Sequence, residues 1–370
     1  MNLVRFHVRL FGFYCLLAFC LAAAAAEQPI LVARVEFTSV VGAASPYSGL
    51  QFLTDELLIV SNGRSSSAYA IYDVTRSRIV GTGSTCAFTG SDLWTTPRGN
   101  ILAACPEGLV LYDREFHELA RIKVRYSQYT VRETLIFSPT RELVAVDPLP
   151  RQGVARVFAT DTLTETTTIP STSKYISGIF SSGYVVYEHN KSTHREELQF
   201  HGYSGATSTL VSTKPCGPAW VLGISETEFV KPACGQTSGE IIDVLAGKVR
   251  LKLPQTDFAW IAYPSSSGYR FALSFEEDSK SRKLNQALNP FSYLAALATY
   301  APDRANLFRL RIYDRRSGEV LAEFHWKMGD QDPMRRIDNS GVALSPNGEY
   351  VAFVRGTAVE VYRVPDSMTH

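Results

Sequence analysis

A unit of about 40 residues recurs along the chain, and this repeat constrains the fold more than any other feature. Each copy begins with an apolar strand, turns through Ser, Thr, Pro, Asn or Gly, and returns in a second apolar strand. A third strand follows, and it often ends in Tyr-Asp. Seven turns fit the pattern, and they read LTDEL, TPRGN, SPTRE, SSGY, SETE, SSSGY and SPNGE.

The spacing of the first strands indicates the architecture. They are anchored at Leu50, Leu93, Leu135, Gly178, Trp220, Trp260 and Val342. One unit is a small antiparallel sheet that cannot cover its own faces, so neighbouring units must pack together, and a period near 40 residues suits radial blades. A pair of β-sandwiches is the alternative, although it does not explain the matched recurrence. We therefore predict an all-β fold, a single seven-bladed β-propeller.

The two ends of the repeat region favour closure of the ring. The segment ILVARVEF, residues 30–37, precedes the first unit, whereas the last unit ends in VEVYRV with few residues after it. We expect the N-terminal strand to complete the last blade, which removes an exposed sheet edge.

The sixth unit contains an insertion at about residues 276–306. The interval from Trp260 to Val342 is 82 residues and holds only one Tyr-Asp strand, which argues against an eighth blade. A polar segment is followed by NPFSYLAALATYAP, whose Asn289, Pro290 and Pro302 predict a short helix. This helix either caps its own blade or presents an interaction surface made of Phe291, Tyr293, Leu294, Leu297 and Tyr300.

The first 26 residues have the pattern of a secretory signal peptide. Arg5 and Arg9 precede an apolar run over residues 10–21, and a row of alanines follows, which predicts cleavage after Ala26. A membrane anchor is the alternative, but the apolar run is short and leads into small residues. The propeller is then expected to span residues 27–370 and to be periplasmic or secreted, with no membrane span after cleavage.

Four cysteines remain after the first 26 residues, in two similarly spaced pairs. Cys86 with Cys105 and Cys216 with Cys234 predict two local disulfides in an oxidising compartment, although three connectivities are possible. A metal site is the alternative, but the close spacing that zinc favours is missing.

The expected mature chain is nearly neutral. Losing Arg5 and Arg9 leaves 35 basic against 36 acidic residues, which disfavours nucleic acid as a partner.

The run SPNGEYVAFV, its weaker copies and the Tyr-Asp strands carry a resemblance to known proteins. The chain resembles the bacterial propellers described as WD-like, TolB-like or similar to the quinoprotein amine dehydrogenase β-chain. The resemblance covers nearly all of the expected mature chain and implies blades, but it carries no catalytic residue. The Gly-His and Trp-Asp signatures of eukaryotic WD repeats are missing.

Catalytic motifs are missing from the sequence. It contains no nucleophile elbow, P-loop, zinc-protease motif or calcium loop, and Ser204 is expected in a turn. Two groups could bind a metal in principle: His189, His194 and His201, and Asp330, Asp332 and Asp338. Their polar surroundings favour an exposed hairpin and a solvated loop, so we expect neither a metal nor a cofactor.

Residues just before the first strands are expected to face one mouth of the central channel. They are Tyr47, Asp92, Arg132, Glu133, Tyr175, Trp220, Trp260, Arg336 and Asp338. Arg132 and Arg336 could bind an anion, and the aromatic residues could stack on a sugar or an aromatic ring of a ligand. Such residues also ordinarily line and seal channels.

These observations favour a non-catalytic, monomeric scaffold that binds a protein, small molecule or glycan in the cell envelope or outside the cell. The alternatives are a hydrolase or lyase with its site at the channel mouth, and a carbohydrate-binding module.

Overall fold

The computed structural model describes residues 29–36, 49–61, 68–88, 92–124, 134–146, 154–170, 175–190, 192, 195–213, 221–233, 238–254, 259–277, 307–327, 341–355 and 357–366. These residues form seven four-stranded antiparallel sheets, the blades of a β-propeller. The prediction of an all-β, seven-bladed fold is therefore confirmed.

In six blades the four strands follow one another in chain order from the inside outward. Blade 1 holds β2 (Gly49–Phe52), β3 (Leu57–Ser61), β4 (Ala68–Asp73) and β5 (Arg78–Ser84). Blade 2 holds β6 (Leu93–Thr95), β7 (Ile101–Cys105), β8 (Gly108–Tyr112) and β9 (Glu118–Lys123). Blade 3 holds β10 (Leu135–Phe137), β11 (Leu143–Val146), β12 (Val154–Ala159) and β13 (Glu165–Pro170).

The next three blades repeat this order. Blade 4 holds β14 (Tyr175–Phe180), β15 (Gly183–Asn190), β16 (Arg195–Gly202) and β17 (Thr207–Thr213). Blade 5 holds β18 (Leu222–Ser225), β19 (Glu228–Lys231), β20 (Glu240–Asp243) and β21 (Lys248–Lys252). Blade 6 holds β22 (Ala259–Pro264), β23 (Arg270–Glu277), β24 (Leu307–Asp314) and β25 (Val320–Lys327).

Blade 7 combines strands that are far apart in the sequence. It holds β26 (Val342–Leu344), β27 (Tyr350–Arg355), β28 (Ala358–Arg363) and, outermost, β1 (Ile30–Glu36). β1 pairs antiparallel with β28, from Ile30 opposite Arg363 to Glu36 opposite Ala358.

Seven apolar clusters join successive blades around the ring. The cluster between blades 7 and 1 includes Leu58 and Val60 from one sheet and Val354 and Val361 from the other. Burial of apolar surface is the main favourable term in folding, so these clusters hold the blades together. Each blade is covered on both faces by its neighbours.

The outermost strand of every blade is bulged against the third strand. The register shifts fall at Ile71/Tyr72, Leu111/Tyr112, Val157/Phe158, Leu198/Gln199, Ile241/Ile242, Ile312/Tyr313 and, in blade 7, Leu31/Ala33. A bulge increases local twist and bends the strand that carries it. β1 therefore has the same irregularity as the other outermost strands.

Some predictions lie outside the described residues. These include the signal peptide at 1–26 and the predicted helix in the insertion, of which 278–306 is not described. The residues that are described contain no helix. Nowhere in those ranges is there a helix long and apolar enough to cross a lipid bilayer.

The aspartate of the Tyr-Asp motif caps the turn that follows the third strand. Oδ1 of Asp73 accepts hydrogen bonds from the Thr75 hydroxyl and the Arg76 N–H, both at 2.8 Å. Oδ1 of Asp113 accepts the N–H of His117 at 2.8 Å. Side-chain acceptors of this kind stabilise turns, which explains why the motif recurs.

A disulfide joins Cys86, which precedes β6, to Cys105 at the end of β7, with their Cα atoms 5.1 Å apart. This is one of the two predicted bridges, and it is confirmed. The other predicted pair, Cys216 with Cys234, lies outside the described residues.

We expect the double variant Cys86→Ala, Cys105→Ala to lower the free energy of unfolding by about 3 kcal/mol, because the unfolded chain regains the freedom of a closed loop. Alanine avoids leaving a hydroxyl at Cys105, which is 1% exposed. Urea denaturation measures the change. An unfolding free energy equal to that of the wild type would contradict a stabilising bridge.

The capping aspartates predict acid sensitivity. Burial opposes ionisation of Asp73, but the Arg76 N–H and the Thr75 hydroxyl outweigh it and lower the pKa of that carboxyl. Burial likewise opposes ionisation of Asp113, and the N–H and imidazole of His117 outweigh it and lower its pKa. A lowered folded-state pKa means that the unfolded chain binds more protons, so this stabilisation is present above the unfolded pKa and is lost below it.

We therefore expect the free energy of unfolding to fall as the pH drops below about 4. In the double variant Asp73→Asn, Asp113→Asn this dependence becomes shallower, since the amide still accepts hydrogen bonds but does not titrate. Denaturation at a series of pH values measures the slope. Glu319→Gln, an exposed change in the corresponding turn of blade 6, is the control for removing a carboxylate. A slope in the double variant as steep as that of the wild type would show that Asp73 and Asp113 do not cause the acid sensitivity.

Candidate functional site

The turns between the first and second strands lie together at one end of the channel, which we call the turn face. It comprises residues 53–56, 96–100, 138–142, 181–182, 226–227, 265–269 and 345–349. All seven lie within the described residues. Because the first strands line the axis, their ends and these turns surround one opening of the channel.

Four of these turns share one hydrogen-bonded frame. In each, the N–H of the fourth residue donates to the carbonyl of the first at 2.9 Å, as from Gly348 to Ser345. The fourth residue has a positive φ in every case: 75° at Gly99, 63° at Arg141, 70° at Gly268 and 78° at Gly348. Blade 3 thus places an arginine where the other three blades place glycine.

This backbone position carries a cost at Arg141. A residue with a Cβ atom in the left-handed region costs about 1–2 kcal/mol, whereas glycine adopts it freely. Strained positions that persist are a sign of functional use. The presence of an arginine at this position therefore indicates a role for its side chain, which glycine lacks.

The side chain of Arg141 connects three blades. Its Nη1 donates to the Gln51 side-chain oxygen in blade 1 and to Oγ1 of Thr95 in blade 2, the latter at 3.1 Å. Both partners belong to first strands. The guanidinium is therefore held next to the axis of the channel.

A cavity of about 80 Å³ lies beside this guanidinium. It is lined by the first strands and turns of blades 1, 2, 3, 6 and 7. Its polar lining residues are Gln51, Thr95, Thr96, Thr140, Arg141, Tyr263 and Ser266. Among the described residues that line it there is one cation and no carboxylate, imidazole or thiol. The arrangement suits a ligand that accepts hydrogen bonds.

The electrostatics of the cavity are dominated by one cation. Removal of water by the surrounding protein lowers the pKa of Arg141 to about 10, so the side chain is still charged at neutral pH. Within the described part of the chain, no carboxylate forms an ion pair with it. Arg141 is half-buried, and a partly desolvated charge without a counterion is unfavourable, which an anionic ligand would offset. Burial also raises the pKa of Tyr263, which is therefore neutral.

Glu226 ties its own turn to two others. Its carboxylate accepts hydrogen bonds from the Thr140 N–H at 3.0 Å, from the Thr140 hydroxyl, and from the Ser181 N–H at 2.7 Å. These contacts join blades 3, 4 and 5. On the other side of the ring, Asp55 accepts the Asn347 N–H at 2.7 Å and joins blade 1 to blade 7. The turn face is therefore a cross-linked frame.

Acidic side chains also lie around blade 3 at this face. Burial, and then the negative charges of Glu226 and Asp161, raise the pKa of Glu142. Asp161 accepts a hydrogen bond from the Thr96 hydroxyl and lies 3.8 Å from Nε of Arg98. The turns around the cavity thus carry charges of both signs.

Three of the sequence-predicted ligand residues, Asp92, Tyr175 and Trp260, are described, and they lie at the other end of the first strands. Of the nine, only Asp92 has a described side chain; it is 3% exposed and lies before β6, at the opposite end from Thr95. Tyr175 and Trp260 lie in β14 and β22. The remaining six, Tyr47, Arg132, Glu133, Trp220, Arg336 and Asp338, lie outside the described residues, as do Phe291, Tyr293, Leu294, Leu297 and Tyr300.

Of the residues noted as possible metal ligands, His194, Asp330 and Asp332 lie outside the described residues, and so does the side chain of His189. Ser204 is exposed in the turn after β16, as expected. The His201 ring stacks on Tyr184, with centroids 5.3 Å apart. In the ranges that the structure covers, no three side chains of His, Cys, Asp or Glu come together as a metal site requires.

Arg141 is not among the ligand residues predicted from the sequence. Aligning TPRGN, SPTRE, SSSGY and SPNGE places Arg141 in the same position as Gly99, Gly268 and Gly348. That substitution in an otherwise regular turn is the signal that identifies it.

No model of a known protein family matches the chain, and no curated protein matches it either. The assignment of a propeller therefore rests on the repeats and on the sheets described above.

We expect Glu226→Ala to lower the free energy of unfolding by about 1–3 kcal/mol, because two backbone N–H groups lose their acceptor. Urea denaturation measures the loss. Glu56→Ala removes an exposed carboxylate from the corresponding turn of blade 1 and should change the free energy by no more than about 0.5 kcal/mol. Equal effects in the two variants would show that the cross-link contributes no stability.

Proposed function

We propose that this chain is a non-catalytic binding propeller, acting in the periplasm or outside the cell, that receives a small ligand at the turn-face end of its channel. The observation that carries the proposal is the cavity of about 80 Å³, which five blades line and to which four of them contribute hydrogen-bonding side chains. Concave sites with a few convergent polar groups are the usual form of small-molecule sites.

The composition of the lining favours binding over catalysis. Hydrolysis or elimination generally needs an acid, a base or a nucleophile within hydrogen-bond reach of the reacting atoms. The cavity offers one arginine, one neutral tyrosine, one glutamine, threonine hydroxyls and a serine. These groups bind and orient a ligand but do not form a nucleophile and base pair.

The rigidity of the turn face supports the same function. Arg141 joins blades 1, 2 and 3, and Glu226 joins blades 3, 4 and 5. A site whose geometry is fixed before binding loses less conformational entropy when the ligand enters.

Export is supported by two features. The Arg5 and Arg9 pattern followed by an apolar run is typical of a signal peptide, and the Cys86 to Cys105 disulfide is typical of oxidising compartments. We further infer a relation to the WD-like or TolB-like bacterial propellers, with β1 as the strand that closes the ring and a helical insertion in blade six.

The site is tested by blocking the cavity. We expect that some members of a panel of small organic anions, sugars and neutral metabolites raise the melting temperature of the protein from residue 27 onward. The variant Ala262→Leu places added volume at a lining residue and should abolish that shift. Ala246→Leu makes the same change at an exposed turn of blade 5 and should retain it.

Two results would contradict the proposal. One is a ligand whose effect persists in Ala262→Leu, provided that this variant alone melts cooperatively. The other is a compound that the wild-type protein converts to product over many turnovers, which mass spectrometry of the panel detects.

A further inference from the structure

We infer that the chemical group received in the turn-face cavity is a carboxylate, bound by the Nε and Nη2 edge of Arg141. This inference rests on the proposed binding function and specifies its ligand.

One of the three guanidinium nitrogens of Arg141 donates to described residues of the protein. Both hydrogen bonds of Arg141, to Gln51 and to Thr95, are donated by Nη1. Its Nε and Nη2 have no acceptor among the residues that the structure describes. These two nitrogens form the edge that matches the two oxygens of a carboxylate in parallel hydrogen bonds.

The guanidinium of Arg141 is held in place by contacts at both ends of the residue. The bonds from Nη1 hold the guanidinium against the first strands of blades 1 and 2, and the backbone of Arg141 is fixed by its N–H donating to the Ser138 carbonyl at 2.9 Å. The side chain is therefore anchored at both ends. The Thr95 hydroxyl accepts from Nη1, so its own proton is available to a ligand oxygen.

The charge of the lining bears on the identity of the ligand. Arg141 is the one cation among the described residues that line the cavity, and the nearby Asp161 is paired with Arg98. A singly charged group neutralises Arg141, whereas a doubly charged phosphate leaves one charge without a cationic partner in the described lining. The surroundings therefore favour a carboxylate over phosphate.

The size of the cavity also bears on the identity of the ligand. The apolar part of the lining includes Phe52, Pro264 and Leu344. A volume of about 80 Å³ suits a short-chain acid or the last residue of a peptide. Both sources present the same group, and the experiment separates them.

The probes are sodium propionate, propionamide as its neutral counterpart, inorganic phosphate, and a short acetylated peptide with a free or an amidated C-terminus. Binding to the protein from residue 27 onward is measured by calorimetry at constant ionic strength. We expect propionate or the free-acid peptide to bind about 10- to 100-fold more tightly than its amide and than phosphate. Preference for the peptide over propionate would identify a chain end as the natural ligand.

Three variants locate the group. Arg141→Gly is the variant that should fold, because Gly99, Gly268 and Gly348 occupy the same turn position with positive φ. It should weaken carboxylate binding about 10- to 100-fold, and Arg141→Lys, which lacks the paired nitrogens, should also weaken it. Arg98→Gln alters a highly exposed arginine in the adjacent blade and should leave binding within about twofold.

Three results would overturn the inference: no carboxylate binding up to about 10 mM, equal binding of phosphate or the amide, or unchanged carboxylate binding in Arg141→Gly. If a sugar or neutral compound binds and Ala262→Leu abolishes it, the binding function stands and only the carboxylate assignment fails.

Discussion

A four-stranded sheet cannot cover its own two apolar faces, and in this chain each face is covered by the next blade. The cluster between blades 7 and 1 is built in the same way as the six others, from buried Val, Leu, Ala and Tyr side chains. Hydrophobic burial between blades therefore orders the first strands around one axis. The turn-face cavity is a consequence of this ring, since five different blades line it and no blade could form it alone.

Polar interactions act within this apolar frame, and they are concentrated on the turn face. Glu226 satisfies N–H groups of two other turns, which stabilises the frame. Arg141 has the opposite character, because a left-handed backbone and a desolvated charge both oppose folding. Functional positions commonly lower stability in this way. The contrast between these two residues separates the structural part of the face from the part that we propose binds a ligand.

The fold could be predicted because its determinants are local and repeated. The Ser or Thr and Gly of the turns, as at Ser345 and Gly348, and the capping Asp73 and Asp113 act within a few residues. The Cys86 to Cys105 bridge could be predicted for the same reason, since both cysteines belong to one unit.

The cavity could not be predicted in this way. Arg141 meets partners 46 and 90 positions away in the sequence, and only the closure of the ring brings them together. The periodicity of the sequence gives the start of each first strand, which is why Asp92 and its equivalents were predicted to face a mouth of the channel. It does not show at which end of the channel hydrogen-bonding groups converge.

The bulged outermost strands affect how the molecules behave toward one another. A regular outer strand offers evenly spaced backbone donors and acceptors on which a strand from another molecule can add. Here the outermost strand of each of the seven blades is twisted by a register shift, including the shift between Leu31 and Ala33 in β1. At high concentration, a strand of a neighbouring molecule therefore meets no regular strand edge with which to pair. Assembly into filaments through β-strand pairing is disfavoured.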